Sequence, residues 1–294
     1  MDGFLDSYIF NFPAAWQFEA GSVIDDAVKA FSRDNQFVLR GIRSLVISCI
    51  ALIRGLLQSV PWVVLVLLVA VMAWRFTKKW YTGALYGLMV TFIGCFGFWP
   101  EMLETLSIVI AGVILSVMMG FPLGVLLAMN TSANKIVRPI LDTMQTMPSW
   151  VYLVPAVMLF SVGTTPALLA TTIYAIVPMV RLTSHGLLYV DPEMIEAAYA
   201  FGSTRMQTLV KIQIPQAIPT IMTGVNQTIM MAMSMVVTCA LIGAKGLGME
   251  ILVATNRVEM GKSLFPGICI VIVAIILDRL TQAAVKRSEV LSDG

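Results

Sequence analysis

The longest charge-free stretch of the chain is TMQTMPSWVYLVPAVMLFSVGTTPALLATTIYAIVPMV, residues 143–180. An α-helix rises about 1.5 Å per residue, so about 20 apolar residues cross the hydrocarbon core of a membrane. The stretch is therefore too long for a single crossing. Gly163-Thr164-Thr165-Pro166 in its middle is typical of a break between helices. The stretch thus predicts two transmembrane helices, at about 147–163 and 166–186.

Other charge-free intervals lie on both sides of this stretch, at 59–74, 82–100, 105–134, 212–244 and 263–277. They are continuously apolar, whereas the strands of a membrane barrel alternate with a period of two. We therefore predict an all-α, polytopic helical membrane protein. About seven transmembrane helices are expected, at 59–76, 82–99, 103–128, 147–163, 166–186, 219–242 and 263–281.

The overall composition agrees with this prediction. The chain has 294 residues, of which 58% are hydrophobic and 12% charged, whereas about a quarter of a soluble domain is charged. The net charge of +2 without a basic block argues against nucleic-acid binding. The four cysteines are far apart in apolar stretches, so we expect small buried side chains and no metal site. The N-terminus lacks the pattern of a cleavable signal peptide, so all residues are expected in the mature protein.

The distribution of Lys and Arg predicts the orientation in the membrane, because cytoplasmic loops are enriched in these residues. They follow the first, third, fifth and seventh predicted spans and are sparse in the other loops. The N-terminus is therefore expected outside and the C-terminus, with the tail 282–294, in the cytoplasm. Residues 1–58 are expected to form an extracytoplasmic tail. Within it, 37–60 is interrupted by arginines, which favours an amphipathic helix on the outer membrane surface over an additional crossing.

The longest predicted cytoplasmic segment, 187–218, has its own helix signals. Asp191-Pro192-Glu193 is typical of a helix start, and Gly202 is typical of a helix end. A second short helix is expected from Arg205 to about Gln213, stopping at Pro215. A passive connector is usually much shorter, so we interpret 191–215 as a docking element.

A motif in this segment resembles that of a known family. Glu196-Ala197-Ala198, Gly202, Ile212 and Pro215 match the EAA motif of membrane subunits of type I ABC importers, EAA-x3-G-x9-I-x-L-P, with Ile214 in place of the usual Leu. The resemblance covers about 101–281, the expected permease core, with 59–100 as two peripheral spans. The stretches 141–160, 201–237 and 241–248 look like the glycine betaine/proline betaine branch of this family. Lys245 departs from that branch, which commonly has glycine at this position.

The resemblance implies a division of labour among several subunits. Two permease copies would form a homodimer in the bacterial inner membrane, two cytoplasmic ATPase subunits would bind ATP and Mg, and an external binding protein would deliver the substrate. That substrate would be a quaternary or methylated amine: glycine betaine, proline betaine, choline, carnitine or trimethylamine N-oxide. Glu196 would pair with a basic residue of the ATPase, Ala197 and Ala198 would allow close helix approach, and Gly202 would make the turn.

The chain is not expected to be an enzyme. Gly261-Lys262-Ser263 ends like a phosphate-binding loop, but position 256 is Asn and no strand precedes it. No catalytic residues are therefore assigned. The glycines at 243, 246 and 248 are interpreted as a flexible or re-entrant outer loop, because the spacing does not fit a dinucleotide site.

Residues with side chains suited to a methylated amine are the candidates for lining the pathway. Aromatic rings attract cations, methionine offers a soft surface, and polar groups within a span face a cavity or a partner helix. Interfacial anchoring and helix packing remain alternatives for all of them. The candidates are Trp150, Tyr152, Asn226, Met233, Ser234 and Thr238.

An ion-coupled secondary transporter of a small polar solute is the alternative function. Such proteins usually carry ionisable residues in the middle of their spans, and the predicted core spans are expected to lack them. An intramembrane enzyme would need a metal cluster or catalytic pair, which the sequence does not offer.

Overall fold

The computed structural model describes residues 20–292, with side chains from 21 to 283. Residues 1–19 of the predicted outer tail and 293–294 of the predicted cytoplasmic tail lie outside the described residues. The described part is helical and contains no strand, which confirms the all-α class. Its helices are α1 (Ala20–Asp34), α2 (Gln36–Ser59), α3 (Trp62–Thr77), α4 (Trp80–Cys95), α5 (Trp99–Met129), α6 (Thr131–Thr146), α7 (Trp150–Phe160), α8 (Thr164–Leu188), α9 (Pro192–Ala200), α10 (Arg205–Thr208), α11 (Ile214–Thr238), α12 (Leu247–Asn256) and α13 (Met260–Ser292).

The chain divides into two units between Ile42 and Arg43. In the first unit, α1 is amphipathic, and its large apolar side chains Val23, Ile24 and Phe31 are exposed. In the second unit, the part of α2 after Arg43 packs Val46 and Ile50 into the main buried cluster.

Five described helical segments are long and apolar enough to cross a membrane, namely Gln36–Ser59, Trp99–Met129, Thr164–Leu188, Arg205–Ile242 and Met260–Ala283. The first of these is α2, for which the interrupting arginines predict a location on the membrane surface. The Arg54 side chain of α2 forms an ion pair with Glu104 of α5, with 2.7 Å between Nη2 and Oε1. The surface location of this segment remains a prediction.

The number of seven spans is correct only approximately. The predicted spans 59–76 and 82–99 correspond to helices of 16 residues, and 147–163 to one of 11 residues. Eleven residues rise about 16 Å, roughly half the hydrocarbon thickness. Counting charge-free residues overestimated these helices because the intervals include turn residues. The first helix begins only after Pro61, and positive φ values at Gly97 and Ser161 end the other two.

The core of the second unit is a close contact between α5 and α8. A Cβ atom at Gly120 would lie 2.9 Å from the Met179 Cβ, and one at Gly124 would lie 2.6 Å from the Thr183 Cβ. Small residues allow membrane helices to approach this closely. The buried Ser116 hydroxyl also donates to the Thr172 carbonyl at 3.1 Å, so polar and steric contacts fix the pair together.

The predicted stop at Pro215 is wrong, because α10 continues into α11. A π-helical turn, Leu209–Gln213, joins them. The Ile214 N–H donates to the Leu209 carbonyl, five residues back. Proline lacks an N–H and normally interrupts a helix, but the wider turn places Pro215 in the first turn of α11, where a missing donor is tolerated.

The structure replaces the predicted flexible or re-entrant outer loop by a tight turn and a helix. Gly246 has a φ of 128°, and a Cβ atom there would lie 2.5 Å from the Thr105 Oγ1. The next residue, Leu247, is fully buried, and its N–H donates to that same oxygen at 2.9 Å. The beginning of α12 is therefore fastened to α5.

Candidate coupling surface and pathway residues

The first half of the predicted docking element forms as expected. The Asp191 carboxylate accepts the Glu193 N–H at 3.0 Å and caps α9, with Pro192 in the first turn. These are short-range contacts between residues that the sequence places side by side.

Gly202 produces the sharp turn that ends α9. Its φ is +80°, in the left-handed region that favours glycine, and no atom lies within 4 Å of the position of an added Cβ. The Ser203 N–H then donates to the Ala198 carbonyl at 3.0 Å. The requirement for glycine is thus conformational rather than steric.

A capping box starts α10, in addition to the helix signals predicted from the sequence. The Thr204 Oγ1 accepts the Gln207 N–H at 3.3 Å, while the Gln207 Oε1 accepts the Thr204 N–H at 2.8 Å. The signal was present in the sequence as Thr-x-x-Gln. The turn between α9 and α10 is therefore fixed on both sides by local hydrogen bonds.

The residues of the EAA motif divide between the surface and the interior. Glu196, Ala197 and Pro215 are exposed, whereas Ala198 is buried against its own chain. Within the described residues, Glu196 has neither an ion pair nor a hydrogen bond. Of the two alanines expected to allow close approach of a partner, only Ala197 is accessible. Ile212 is partly buried in the π-helical turn.

Large apolar side chains surround the exposed part of the motif. Phe201 is 91% exposed, and Met194, Tyr199 and Met206 are also exposed. We call these four residues the coupling surface. Exposed apolar groups gathered in one short segment are typical of a protein interaction site.

The pathway candidates on α11 lie on different faces. Thr223, Gln227, Met230 and Ser234 are exposed, and their spacing of three or four residues places them on one face. We call this face, with the partly exposed Thr238, the α11 stripe. The spacing is readable in the sequence, but only Ser234 and Thr238 of this stripe are among the pathway candidates predicted from it.

Met233 and Asn226 do not lie on the stripe. Met233 is 3% exposed and packs in the main buried cluster. The Asn226 Nδ2 donates to the Asp278 Oδ1 of α13 at 2.9 Å. Asp278 also accepts from the Gln282 Nε2 at 2.8 Å. Both candidates therefore make contacts inside this chain.

Asp278 corrects the expectation that the core spans lack ionisable residues. It belongs to Met260–Ala283, one of the segments long enough to cross a membrane. The charge-free interval ends just before it, but the helix continues.

The aromatic candidates lie on the short helix α7. Trp150 is exposed at its beginning. Tyr152 is partly buried, donates its hydroxyl to the Met144 carbonyl and contacts the Tyr174 ring edge-on, with centroids 5.7 Å apart. Trp150 thus presents a free ring, while the Tyr152 ring contributes to packing.

The resemblance of 261–263 to a phosphate-binding loop has no structural counterpart. Gly261-Lys262-Ser263 forms the beginning of the apolar helix α13, and Lys262 pairs with Glu259 at 3.0 Å. In the described part of the chain, no group of three or more His, Cys, Asp or Glu side chains could hold a metal ion.

The helices of membrane-spanning length define the class as a polytopic helical membrane protein, with one exposed segment of short helices. A family model described as "Binding-protein-dependent transport system inner membrane component" matches residues 120–290. The chain belongs to this family of ABC importer permeases.

Curated relatives and solved structures agree with the family. The chain is 42% identical to the glycine betaine/proline betaine permease ProW of Escherichia coli (strain K12), over 85% of this chain and 71% of the relative. It is 44% identical to the glycine betaine/carnitine permease GbuB of Listeria monocytogenes, over 78% and 82%. A chain of the MetNI methionine ABC transporter has the same fold, with a TM-score of 0.56 and 22% identity over 63% of this chain and 93% of that one.

Proposed function

We propose that this chain is the permease subunit of an ATP-driven importer for a quaternary or methylated amine osmolyte. The relatives support this substrate class by their names: glycine betaine with proline betaine or carnitine, and, at 38% identity over 77% of this chain, trimethylamine N-oxide. The observation that carries the proposal is the ordered segment 191–215, which presents the EAA motif next to the coupling surface.

The coupling surface is the site where the ATPase subunit binds. Glu196 is exposed without an ion-pair partner in the described chain, and it supplies the negative charge for a basic residue of that subunit. Phe201 and Met206 supply apolar area around it. An ion pair enclosed by apolar groups is shielded from water, which strengthens the attraction between its charges.

Movement at the coupling surface reaches the membrane through a continuous helix. Because α10, the π-helical turn and α11 are uninterrupted, a displacement of α10 is transmitted along α11 to its stripe. Two permease copies placing their stripes around a shared axis form the pathway, with Ser234 and Thr238 as lining residues. ATP and Mg bind to the partner ATPase.

The proposed orientation puts the coupling surface in the cytoplasm, the N-terminus outside and the C-terminus inside. It follows from the positions of Lys and Arg relative to the spans. We keep three assignments made from the sequence. Residues 101–281 form the permease core, residues 59–100 form two peripheral spans, and residues 282–294 form a cytoplasmic tail.

The proposal is tested by the isosteric exchange Glu196→Gln. Permease, ATPase and binding protein are reconstituted in liposomes, and ATP-dependent uptake of labelled glycine betaine is measured. Removing one partner of a shielded ion pair is expected to lower uptake about tenfold or more. Glu193→Gln is the matched control, since it removes a neighbouring exposed carboxylate outside the motif. Wild-type uptake by the first variant, or equal loss in both, would contradict the assignment.

Ion-coupled transport is the second candidate, and Asp278 is the observation that favours it. A carboxylate between two helices of membrane-spanning length is a typical site for ion coupling. In that case, Asp278→Asn would abolish uptake driven by an ion gradient without ATP. Uptake that strictly requires ATP, in the wild type and in this variant, would exclude the second candidate.

A further inference from the structure

A cavity of about 220 Å³ lies between α6 and α8, at the end of α8 that leads into the docking element. Its lining includes Asn134 and Arg138 from α6 and Arg181, Ser184 and His185 from α8. The lining includes no carboxylate, so its polar groups are mainly hydrogen-bond donors. Asp142, outside the lining, pairs with Arg181, so Arg138 supplies the uncompensated positive charge.

Ser184 is the clearest sign that this cavity is suited to a ligand. The residue is 5% exposed, and its Oγ is buried without a hydrogen-bond partner. A buried polar group in this state is unfavourable, because it has lost its water without gaining another partner. Since Ser184 lines the cavity, an acceptor bound there would satisfy its hydroxyl.

The two arginines differ in how they are held. The Arg181 Nη1 donates to the Gln145 Oε1 at 2.8 Å and lies 3.3 Å from the Asp142 Oδ1, so its guanidinium is already oriented. Arg138 has neither an ion pair nor a hydrogen bond among the described residues. Its planar guanidinium is therefore available to bind an oxyanion through two parallel hydrogen bonds.

The His185 ring is also held in place at the cavity. It stacks on Tyr189 with ring centroids 4.2 Å apart and an angle of 16° between the rings. Together, two guanidiniums, an imidazole, a hydroxyl and the Asn134 amide offer more donors than a carboxylate can accept. A phosphate group has the charge and the number of acceptor oxygens to use them.

The rest of the cavity lining is largely apolar. It includes Leu127, Leu141, Val180 and Leu188, and the Leu188 side chain is exposed at the end of α8. Basic pockets between membrane helices with apolar surroundings suit lipid headgroups whose acyl chains lie alongside. We propose that the cavity binds a phosphate group, supplied either by the headgroup of an anionic phospholipid or by a soluble phosphate compound.

The test measures binding to the purified full chain in a neutral detergent, by thermal unfolding and by native mass spectrometry. The probes are phosphatidylglycerol, phosphatidylcholine and inorganic phosphate at matched ionic strength. Phosphatidylglycerol is expected to raise the unfolding midpoint saturably and more than phosphatidylcholine, whose ammonium group is repelled by the arginines. Arg138→Gln is expected to weaken binding about tenfold, since it removes a charge-assisted contact.

Two variants separate the site from general effects. Ser184→Ala is expected to weaken binding while leaving the ligand-free chain at least as stable, because it removes an unsatisfied hydroxyl. Lys135→Gln removes a charge from the same helix outside the cavity lining and is expected to bind as the wild type does.

The outcomes decide both the site and the source of the phosphate. Saturable stabilisation by phosphatidylglycerol alone supports the site with lipid as the source, and stabilisation by inorganic phosphate supports it with a soluble source. The proposal is overturned if neither probe binds saturably, if Arg138→Gln binds as the wild type, or if Lys135→Gln weakens binding equally. None of these readouts depends on transport or on the ATPase.

Discussion

Replacing Gly202 by Ala isolates the contribution of backbone geometry to coupling. No atom lies within 4 Å of the position of the added Cβ, so the substitution introduces no clash. The cost comes from φ = +80°, which is unfavourable for an L-residue by about 1–2 kcal/mol. If the turn leaves this conformation, the fraction of permease chains whose docking element can bind the ATPase falls roughly 5–30-fold.

The assay for Gly202→Ala is the ATPase activity of the assembled importer stimulated by the loaded binding protein. Gly97→Ala is the matched control, because Gly97 has φ = +79° with nothing within 4 Å and lies between α4 and α5. We expect both variants to lose similar thermal stability, whereas only Gly202→Ala loses stimulated activity. Gly202→Asn should lose less, since Asn tolerates this region. Full stimulation of Gly202→Ala, or equal loss in Gly97→Ala, would refute the reasoning.

The remaining predictions concern the bundle. Gly124→Val is expected to lower the unfolding temperature of the detergent-purified chain by several degrees, because the added Cβ would lie 2.6 Å from a side-chain carbon of α8. Gly267→Ala is the control, because the position of its added Cβ has open space around it, and it should change the unfolding temperature little. Ser234→Cys is expected to react with a water-soluble thiol reagent in the reconstituted permease, whereas Met233→Cys stays protected because this position is buried. A stable Gly124→Val, or equal labelling of the two cysteine variants, would contradict these assignments.

Short-range features were the most predictable from the sequence. The start of α9 depends on Asp191 and Pro192, and its end depends on Gly202; all three act within a few residues of their own position. The π-helical turn before Pro215 was not predictable in this way. Proline normally ends a helix, whereas here the wider turn Leu209–Gln213 accommodates Pro215 within a continuous helix.

Sorting of the candidate pathway residues required the packed structure. Asn226 and Ser234 have the same polar character in the sequence and lie on the same helix. Their environments differ because Asp278, 52 positions from Asn226, comes within hydrogen-bonding distance of it. A contact at that separation depends on how α11 and α13 pack, which composition and periodicity do not specify.

The sequence by itself determined the membrane-protein class, the family resemblance and the position of the docking element, because long apolar runs and local capping patterns act through neighbouring residues. The tertiary structure decided which side chains face outward, that Ala198 and Met233 are buried, and that α6 and α8 enclose a basic cavity around Ser184. The physical reason is that hydrophobicity and capping act along the chain, whereas close packing, buried hydrogen bonds and cavities arise only between segments that folding brings together.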